Sequence, residues 1–171
     1  IEPRRTPPPN LQGLNVLVVD DCQATRNVMQ NILESFDFTV ETVSSGTASL
    51  ERLKENEKRS NPYDLVILDW RMPQMNGLET ARRIRTDLKL SIPIILITAF
   101  GGKSERQDSQ KIGIAAFLTK PVYPSTLFNA IMDAFGKQEY REAQPQAATQ
   151  SLSAVDKTRL EGRRVLVVED N

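Results

Sequence analysis

Short apolar runs alternate with helical patterns between residues 14 and 136. Four of the runs are continuously hydrophobic, which predicts central parallel strands buried on both faces. The fifth alternates and ends in polar residues, as is typical of an edge strand. In chain order the runs are residues 15–20, 38–43 (the alternating one), 64–69, 93–99 and 115–120.

Apolar residues at a spacing of three or four predict helices between these runs. The first helix is expected to bury Val28, Ile32 and Phe36 with Met29 and Leu33, and the second Leu50 and Leu53. The third is expected to bury Leu78, Ala81 and Ile84, and the last Leu127, Ile131 and Phe135 with Phe128 and Met132.

Polar residues mark where two of these helices should begin. Ser44 or Ser45 is the expected cap of the second helix, and Ser125 or Thr126 that of the last. A further helix at 103–113 is predicted to be the least stable, since Ile112 is almost its only apolar residue. Strands alternating with helices predict a doubly wound α/β fold with a parallel sheet.

The chain changes character on either side of this region. Residues 1–13 are rich in proline and are interpreted as a linker, and residues 137–162, rich in Gln, Ala and charge, as a second and partly helical one. The segment LEGRRVLVVEDN at 160–171 matches LQGLNVLVVDDC at 11–22. We therefore expect one domain at 14–136 and the truncated start of a second copy at 163–171, within a longer protein.

The net charge, the single cysteine and the absence of histidine limit the kinds of partner and of active site that this chain can have. The 171 residues contain 22 Lys plus Arg and 22 Asp plus Glu, so no net charge favours nucleic acid or a membrane surface. No apolar run has the length of a membrane span. The single cysteine, Cys22, is compatible with the reducing cytoplasm. With no histidine, His-ligated metals, Ser-His triads and a phosphohistidine within the chain are excluded.

The candidate site lies where the predicted strands end, because ligands of open α/β sheets bind beyond the carboxyl ends of the strands. Asp20 and Asp21 follow the first strand, Asp69 the third, Thr98 the fourth and Lys120 the fifth. Converging carboxylates require a cation, and oxygen ligands alone favour Mg²⁺. A lysine and a hydroxyl beside that ion would suit phosphoryl transfer onto a carboxylate.

The motifs VLVVDD, LVILDWRMPQMNGLE, ITA and LTKP occur in this order across residues 14–136. In this combination the chain resembles a response-regulator receiver domain. The phrases DWRMPQMNG and TKPVYPSTLFNAI, with the second receiver start, are most similar to receiver modules of hybrid sensor histidine kinases. The resemblance implies a flavodoxin-like sheet of five parallel strands in the order 2-1-3-4-5, with helices on both faces.

The resemblance also implies roles for the acidic residues. Asp69 would be the phosphoacceptor, receiving a phosphoryl group from a phosphohistidine on a partner protein. Asp21 and Asp69 would bind Mg²⁺ directly and Asp20 through a water molecule. The backbone carbonyl of Arg71 would complete the protein ligands.

Three further residues have implied roles in phosphoryl binding and switching. Thr98 would hydrogen-bond a phosphoryl oxygen, and Lys120 would pair with Asp69 and then with the phosphoryl group. Thr98 and Phe117 would be the switch residues, although many members of the family have Tyr in place of Phe117. The peptide bond between Lys120 and Pro121 is expected to be cis.

The implied partner is a histidine kinase or a histidine phosphotransfer domain, with a second receiver domain and self-association also open. The fragment itself carries no kinase core, and a hybrid-kinase parent can be membrane-anchored. A pseudo-receiver that binds partners without phosphorylation stays open as the alternative.

Two other classes of protein are disfavoured by single positions. An enzyme of the haloacid-dehalogenase type requires a second Asp two residues after the nucleophile, where this chain has Arg71. An FMN site of the flavodoxin type requires Ser, Thr and Gly where this chain has Asp20 and Asp21.

Overall fold

A computed structural model describes residues 7–56, 61–99 and 112–142. Its described strands form one parallel sheet in the order β2-β1-β3-β4-β5, which confirms the predicted fold class and strand order. A 3₁₀-helix at Pro9–Leu11 precedes the sheet. The other elements are β1 Asn15–Val19, α1 Gln23–Glu34, β2 Thr39–Val43, α2 Gly46–Asn56, β3 Leu65–Asp69, α3 Gly77–Thr86, β4 Ile94–Thr98, β5 Ala116–Thr119 and α4 Pro124–Glu142.

The three central strands are buried along their whole length. Every residue of β1, β3 and β4 is buried, as their continuous hydrophobic runs predict, and β2 lies at one edge as expected. The hydrophobic pattern at 115–120 predicted a central strand and is wrong on this point, whereas the order 2-1-3-4-5 implied by the resemblance correctly places this strand at an edge. In the described sheet β5 pairs only with β4 and forms the other edge, where Leu118 is buried, Ala116 and Phe117 are half-buried and Thr119 is exposed.

Helices cover both faces of the sheet. Val16 and Val18 of β1 lie on the face that α1 and α4 cover, whereas Leu17 and Val19 lie on the opposite face, which α2 and α3 cover. Because successive side chains of a strand point to opposite faces, one strand contributes to both halves of the core. This explains why the central strands are apolar before their carboxyl ends, apart from Asn15 at the start of β1.

The apolar stripe of α1 differs from the predicted one. Met29 and Leu33 are buried as expected, but the Val28 side chain is 55% exposed. The third buried residue of the helix is Arg26, so the buried positions follow one another at intervals of three and four. Phe36 is buried, but it lies beyond the end of the helix.

The helix starts are only partly as predicted. The Ser45 hydroxyl accepts the Ala48 amide at 3.2 Å, which confirms Ser45 as a cap of α2. The prediction for the last helix is wrong, because α4 begins at Pro124 and places Ser125 and Thr126 inside its first turn. Proline suits that position, since its fixed φ is helical and its missing N–H would have no partner there.

The described part of α4 ends at Glu142, six residues into the segment interpreted as a linker. Most of the predicted helix at 103–113 lies outside the described residues, as does the repeat at 163–171. These two expectations therefore stay predictions.

Arg85 ties three parts of the chain together at the edge of the sheet opposite the predicted site. From the last turn of α3, its guanidinium donates to the carbonyls of Leu90 and Ile92, each at 2.7 Å, before β4. It also donates to the carbonyls of Ile112 and Gly113, each at 3.3 Å, before β5. A planar guanidinium can serve these acceptors simultaneously because its donors are fixed in a fork.

We expect Arg85→Lys to lower the free energy of unfolding by about 2 kcal/mol, since a single ammonium leaves some of these carbonyls without their charged donor. Urea denaturation of both proteins measures the change. Arg82→Lys is the control, because Arg82 lies exposed on the same helix and pairs with Glu79. Its effect should stay below about 0.5 kcal/mol. Equal losses in the two variants would contradict the role of Arg85.

Candidate functional site

The sheet brings the predicted acidic residues and the lysine to one point. Asp20 follows β1, Asp69 ends β3 and Lys120 follows β5. The Lys120 ammonium lies 2.8 Å from Asp69 Oδ1 and 3.0 Å from Asp20 Oδ2. Carboxylate oxygens of Asp20, Asp21 and Asp69 lie within 4.8 Å of one another. Asp20 and Asp69 are buried, whereas Asp21 is exposed to solvent.

Asp20 is held by both its backbone and its side chain. Its amide donates to the Val43 carbonyl of β2 at 3.3 Å, and its carbonyl accepts the Arg26 guanidinium at 2.6 Å. Its Oδ1 accepts the Cys22 amide at 2.8 Å, while Oδ2 accepts Lys120. Sequence reasoning missed Arg26, although a cation within the apolar stripe of α1 was a signal that could have found it.

Asp69 is enclosed by the loop that follows it. The Gly77 amide donates to the Trp70 carbonyl at 3.0 Å, and the Trp70 amide donates to the Ile97 carbonyl at 2.7 Å. A Cβ atom at Gly77 would lie 2.3 Å from the Asp69 carbonyl oxygen, so only glycine allows this close approach. The Arg71 amide hydrogen-bonds the Asp69 carboxylate. Backbone contacts of the following loop and of β4 therefore hold Asp69, the phosphoacceptor candidate, in place.

Burial and charge act in opposite directions on this cluster. Burial raises the pKa of Asp69, and Asp20 adds to this rise, while the hydrogen bond from Lys120 opposes it without cancelling it. Burial alone would lower the pKa of Lys120, but hydrogen bonds from its ammonium to Asp69 and Asp20 outweigh this and raise it. Lys120 is therefore a cation at neutral pH. One ammonium faces three carboxylates, which leaves an excess of negative charge.

The donor set fits a hard divalent cation. Carboxylate oxygens, without thiolate or imidazole, are the ligands that Mg²⁺ prefers, and Mg²⁺ keeps several of its water molecules when bound. The exposed Asp21 leaves the cluster open to a hydrated ion. Arg71 is placed beside Asp69 through its amide, and its carbonyl as a metal ligand stays a prediction.

The two candidate switch residues lie on neighbouring strands, Thr98 on the central strand β4 and Phe117 on the edge strand β5. Thr98 is buried at the end of β4, and its carbonyl accepts the Lys120 amide at 2.8 Å. Phe117 is half-buried on β5 and packs against the face of the sheet that α2 and α3 cover. The peptide bond between Lys120 and Pro121 is cis, as expected. Thr98 thus joins the site through the backbone, and its switch role with Phe117 stays a prediction.

This arrangement of strand-end carboxylates and lysine agrees with a family match. Residues 16–132 match the family described as the response regulator receiver domain. The chain belongs to this family. The receiver domain is 33% identical over 121 residues to the autoinducer 2 sensor kinase/phosphatase LuxQ of Vibrio vulnificus. It is 34% identical over 116 residues to the chemotaxis protein CheY1 of Helicobacter pylori.

Solved structures show the same fold. A response regulator receiver domain protein from Clostridium thermocellum superposes with a TM-score of 0.66 at 28% identity, over 74% of this chain and 98% of that one. The match to LuxQ covers 71% of this chain but only 14% of LuxQ, whereas the match to CheY1 covers 67% of this chain and 90% of CheY1. Receiver domains thus occur both inside large proteins and nearly alone.

In the ranges that the structure describes, no helix has the length and apolar character needed to cross a bilayer.

We expect Asp69→Asn to raise the melting temperature by about 3 °C at pH 7 without Mg²⁺, which is about 1 kcal/mol for a chain of this size. Because the pKa of Asp69 is raised on folding, the folded protein favours the protonated carboxyl. Stability is therefore lost as the pH rises through the unfolded and then the folded pKa.

Asparagine avoids this loss, so its advantage should disappear on acidification below both pKa values. Thermal melts across pH measure the difference. Asp133→Asn, at an exposed position of α4, is the control and should change little. An advantage of Asp69→Asn that stays constant with pH would contradict the electrostatic explanation.

Proposed function

We propose that this receiver domain is a phosphoacceptor of a two-component phosphorelay, in which Asp69 receives a phosphoryl group from a phosphohistidine on a partner. The observation that carries the proposal is the contact of Lys120 with Asp69 and Asp20, with Asp21 beside them. The alternative, a pseudo-receiver, has no need for three converging carboxylates in contact with a lysine.

The proposed step uses Asp69 as the nucleophile. One of its carboxylate oxygens forms a bond to phosphorus while the P–N bond to the donor histidine breaks, and the imidazole departs with the electron pair. Lys120, already at 2.8 Å from Asp69, is placed to neutralise charge on the phosphoryl oxygens. The Thr98 hydroxyl would hydrogen-bond one of them.

The proposed metal ligands are Asp21 and Asp69 directly, Asp20 through water, and the Arg71 carbonyl. When bound, Mg²⁺ draws negative charge from the phosphoryl oxygens and the carboxylates. The imbalance of three carboxylates against one ammonium supports this assignment. Asp20 suits an indirect role because both of its carboxylate oxygens already accept hydrogen bonds, from Cys22 and Lys120.

We assign switching to Thr98 and Phe117. A phosphoryl group that attracts the Thr98 hydroxyl would disturb the end of β4, to which β5 is paired. Phe117 is half-buried and lies on that edge strand, so its ring has more freedom to move than the fully buried residues of β1 and β3. Since Phe117 has no hydroxyl, movement of the ring rather than a new hydrogen bond would carry the change.

We infer that the domain at 14–136 belongs to a hybrid sensor histidine kinase and works in the cytoplasm. The likeness to LuxQ and the internal repeat support this context, with residues 1–13 and 137–162 as linkers and 163–171 opening a second receiver. The exposed free thiol of Cys22 supports a reducing location. Partners would be a histidine kinase or a phosphotransfer domain, and also the second receiver and another copy of the domain.

Incubation with acetyl phosphate and Mg²⁺ should add one phosphoryl group to the wild-type protein, as seen by intact mass. Asp69→Asn should add none, and Asp21→Ala should lose the reaction because metal binding is lost. Asp133→Ala, on the exposed face of α4, should react like the wild type. A mass increase that survives in Asp69→Asn would contradict the assignment. A wild-type protein that stays unmodified would favour the pseudo-receiver.

Trp70 offers a second test, because it directly follows Asp69 and packs partly buried beside the site. Mg²⁺ should change its emission, with saturation at millimolar concentrations. Beryllofluoride, a phosphoryl mimic, should cause a further change only after Mg²⁺, because the anion would otherwise face three carboxylates.

Variants separate the two steps of this titration. Asp21→Asn should weaken the Mg²⁺ response, and Asp69→Asn should remove the beryllofluoride step. A beryllofluoride response that is the same with and without Mg²⁺ would count against the proposed site. Absence of Mg²⁺ binding by calorimetry would refute it.

A further inference from the structure

Arg26 occupies an unfavourable place for a cation. It lies near the start of α1, where the helix dipole is positive, and only 8% of the residue is exposed. Burying a guanidinium is costly unless its donors are satisfied. Hydrogen-bond acceptors near Arg26 must therefore offset the cost of burying the charge and the repulsion by the helix dipole.

The partners of Arg26 are neutral oxygens. Its Nη1 donates to the Asp20 carbonyl at 2.6 Å, and its Nη2 donates to the Gln23 side-chain carbonyl. Among the described residues no carboxylate forms an ion pair with it. The guanidinium thus binds the backbone of the acidic loop and none of its carboxylates.

The backbone of Arg26 lies on the far side of the same turn. Its amide donates to the Cys22 carbonyl at 3.1 Å, which is the first hydrogen bond of α1 and does not depend on the side chain at this position. One residue therefore contacts the residue before Asp21 through its guanidinium and the residue after it through its backbone. Asp21 itself is exposed, so its position depends on these two neighbours.

We propose that Arg26 is a positioning residue for the metal site: by binding the Asp20 carbonyl from the first turn of α1, its guanidinium holds the turn in which the Asp21 carboxylate meets those of Asp20 and Asp69. This inference rests on the proposed function, since it concerns Mg²⁺ loading of the same cluster. Arg26 is not among the proposed ligands of the metal or of the phosphoryl group.

Positioning and charge predict opposite signs for the loss of Arg26. If the guanidinium acted only as a nearby positive charge, a neutral replacement would tighten Mg²⁺ binding, because like charges repel. If it acts through the turn, a neutral replacement weakens binding despite that gain. Lysine keeps the charge but loses the fork that reaches two acceptors, so it separates the effects again.

The experiment titrates Mg²⁺ into wild type, Arg26→Lys and Arg26→Met at constant ionic strength, with Trp70 emission and calorimetry as readouts. We expect both variants to bind Mg²⁺ about tenfold more weakly, as is usual when a partner that orients a metal ligand is lost. Gln23→Ala removes one acceptor at an exposed position and should weaken binding in the same direction, by less. Arg82→Met is the control and should bind like the wild type.

Thermal melts recorded in parallel identify a role in packing alone, which would lower the melting temperature and leave Mg²⁺ affinity unchanged. Unchanged or tighter binding in Arg26→Met would overturn the inference. Should the Arg26 variants fail to fold, Gln23→Ala decides, and wild-type affinity in that variant would overturn it. A wild type that binds no Mg²⁺ refutes the proposed function itself, whereas a wild type that binds Mg²⁺ and becomes phosphorylated leaves only the role of Arg26 in question.

Discussion

Three carboxylates share one ammonium at the carboxyl edge of the sheet, and this imbalance governs the arrangement around it. Asp20 and Asp69 are buried, so water cannot screen their repulsion fully, and Lys120 contacts both. The surrounding backbone supplies amide donors from Cys22 and Arg71 to these carboxylates. Even with these contacts the pKa of Asp69 stays raised. The cluster is satisfied in hydrogen bonds but still short of positive charge, which is the condition that favours a divalent cation.

The sheet is what makes such a cluster tolerable. Parallel pairing in register places the ends of β1 and β3 side by side, and the apolar residues before them are buried on both faces. Hydrophobic burial of these strands offsets the electrostatic cost at their ends. The same geometry explains Gly77, because α3 starts so close to Asp69 that a side chain would displace its carbonyl. The buried apolar residues in the middle of the strands thus provide the stability, and the charged residues at the carboxyl ends of the strands form the candidate site.

Most of the fold follows from the pattern of apolar and polar residues along the chain, and each wrong prediction has a physical cause. Continuous hydrophobicity identified β1, β3 and β4, but it cannot distinguish a central strand from an edge strand covered by helices. For this reason the pattern alone predicted a central β5, whereas the strand order implied by the resemblance placed it at the edge. Periodicity found α1, yet it assigned Val28 to the core because it counted only apolar residues and ignored Arg26. The acidic residues were found because strand ends are visible in sequence. The partner of the Asp20 carbonyl was not, since the sequence showed a cation within the apolar stripe of α1 but not the backbone carbonyl that it binds.

Asp20 and Asp69 are held more firmly than Lys120. This difference indicates which part of the structure would move when a ligand binds at the site. Asp20 is bound through its amide, carbonyl and both carboxylate oxygens, and Asp69 belongs to a strand buried on both faces. A close-packed interior resists displacement there. On the other side, Lys120 follows β5, an edge strand that is only half-buried. A ligand that draws Lys120 away from Asp20 would therefore move the β5 edge at lower cost than it would move β1 or β3. Lys120, the one cation that partly neutralises the three carboxylates, is in this way also the part of the site that moves at the lowest cost.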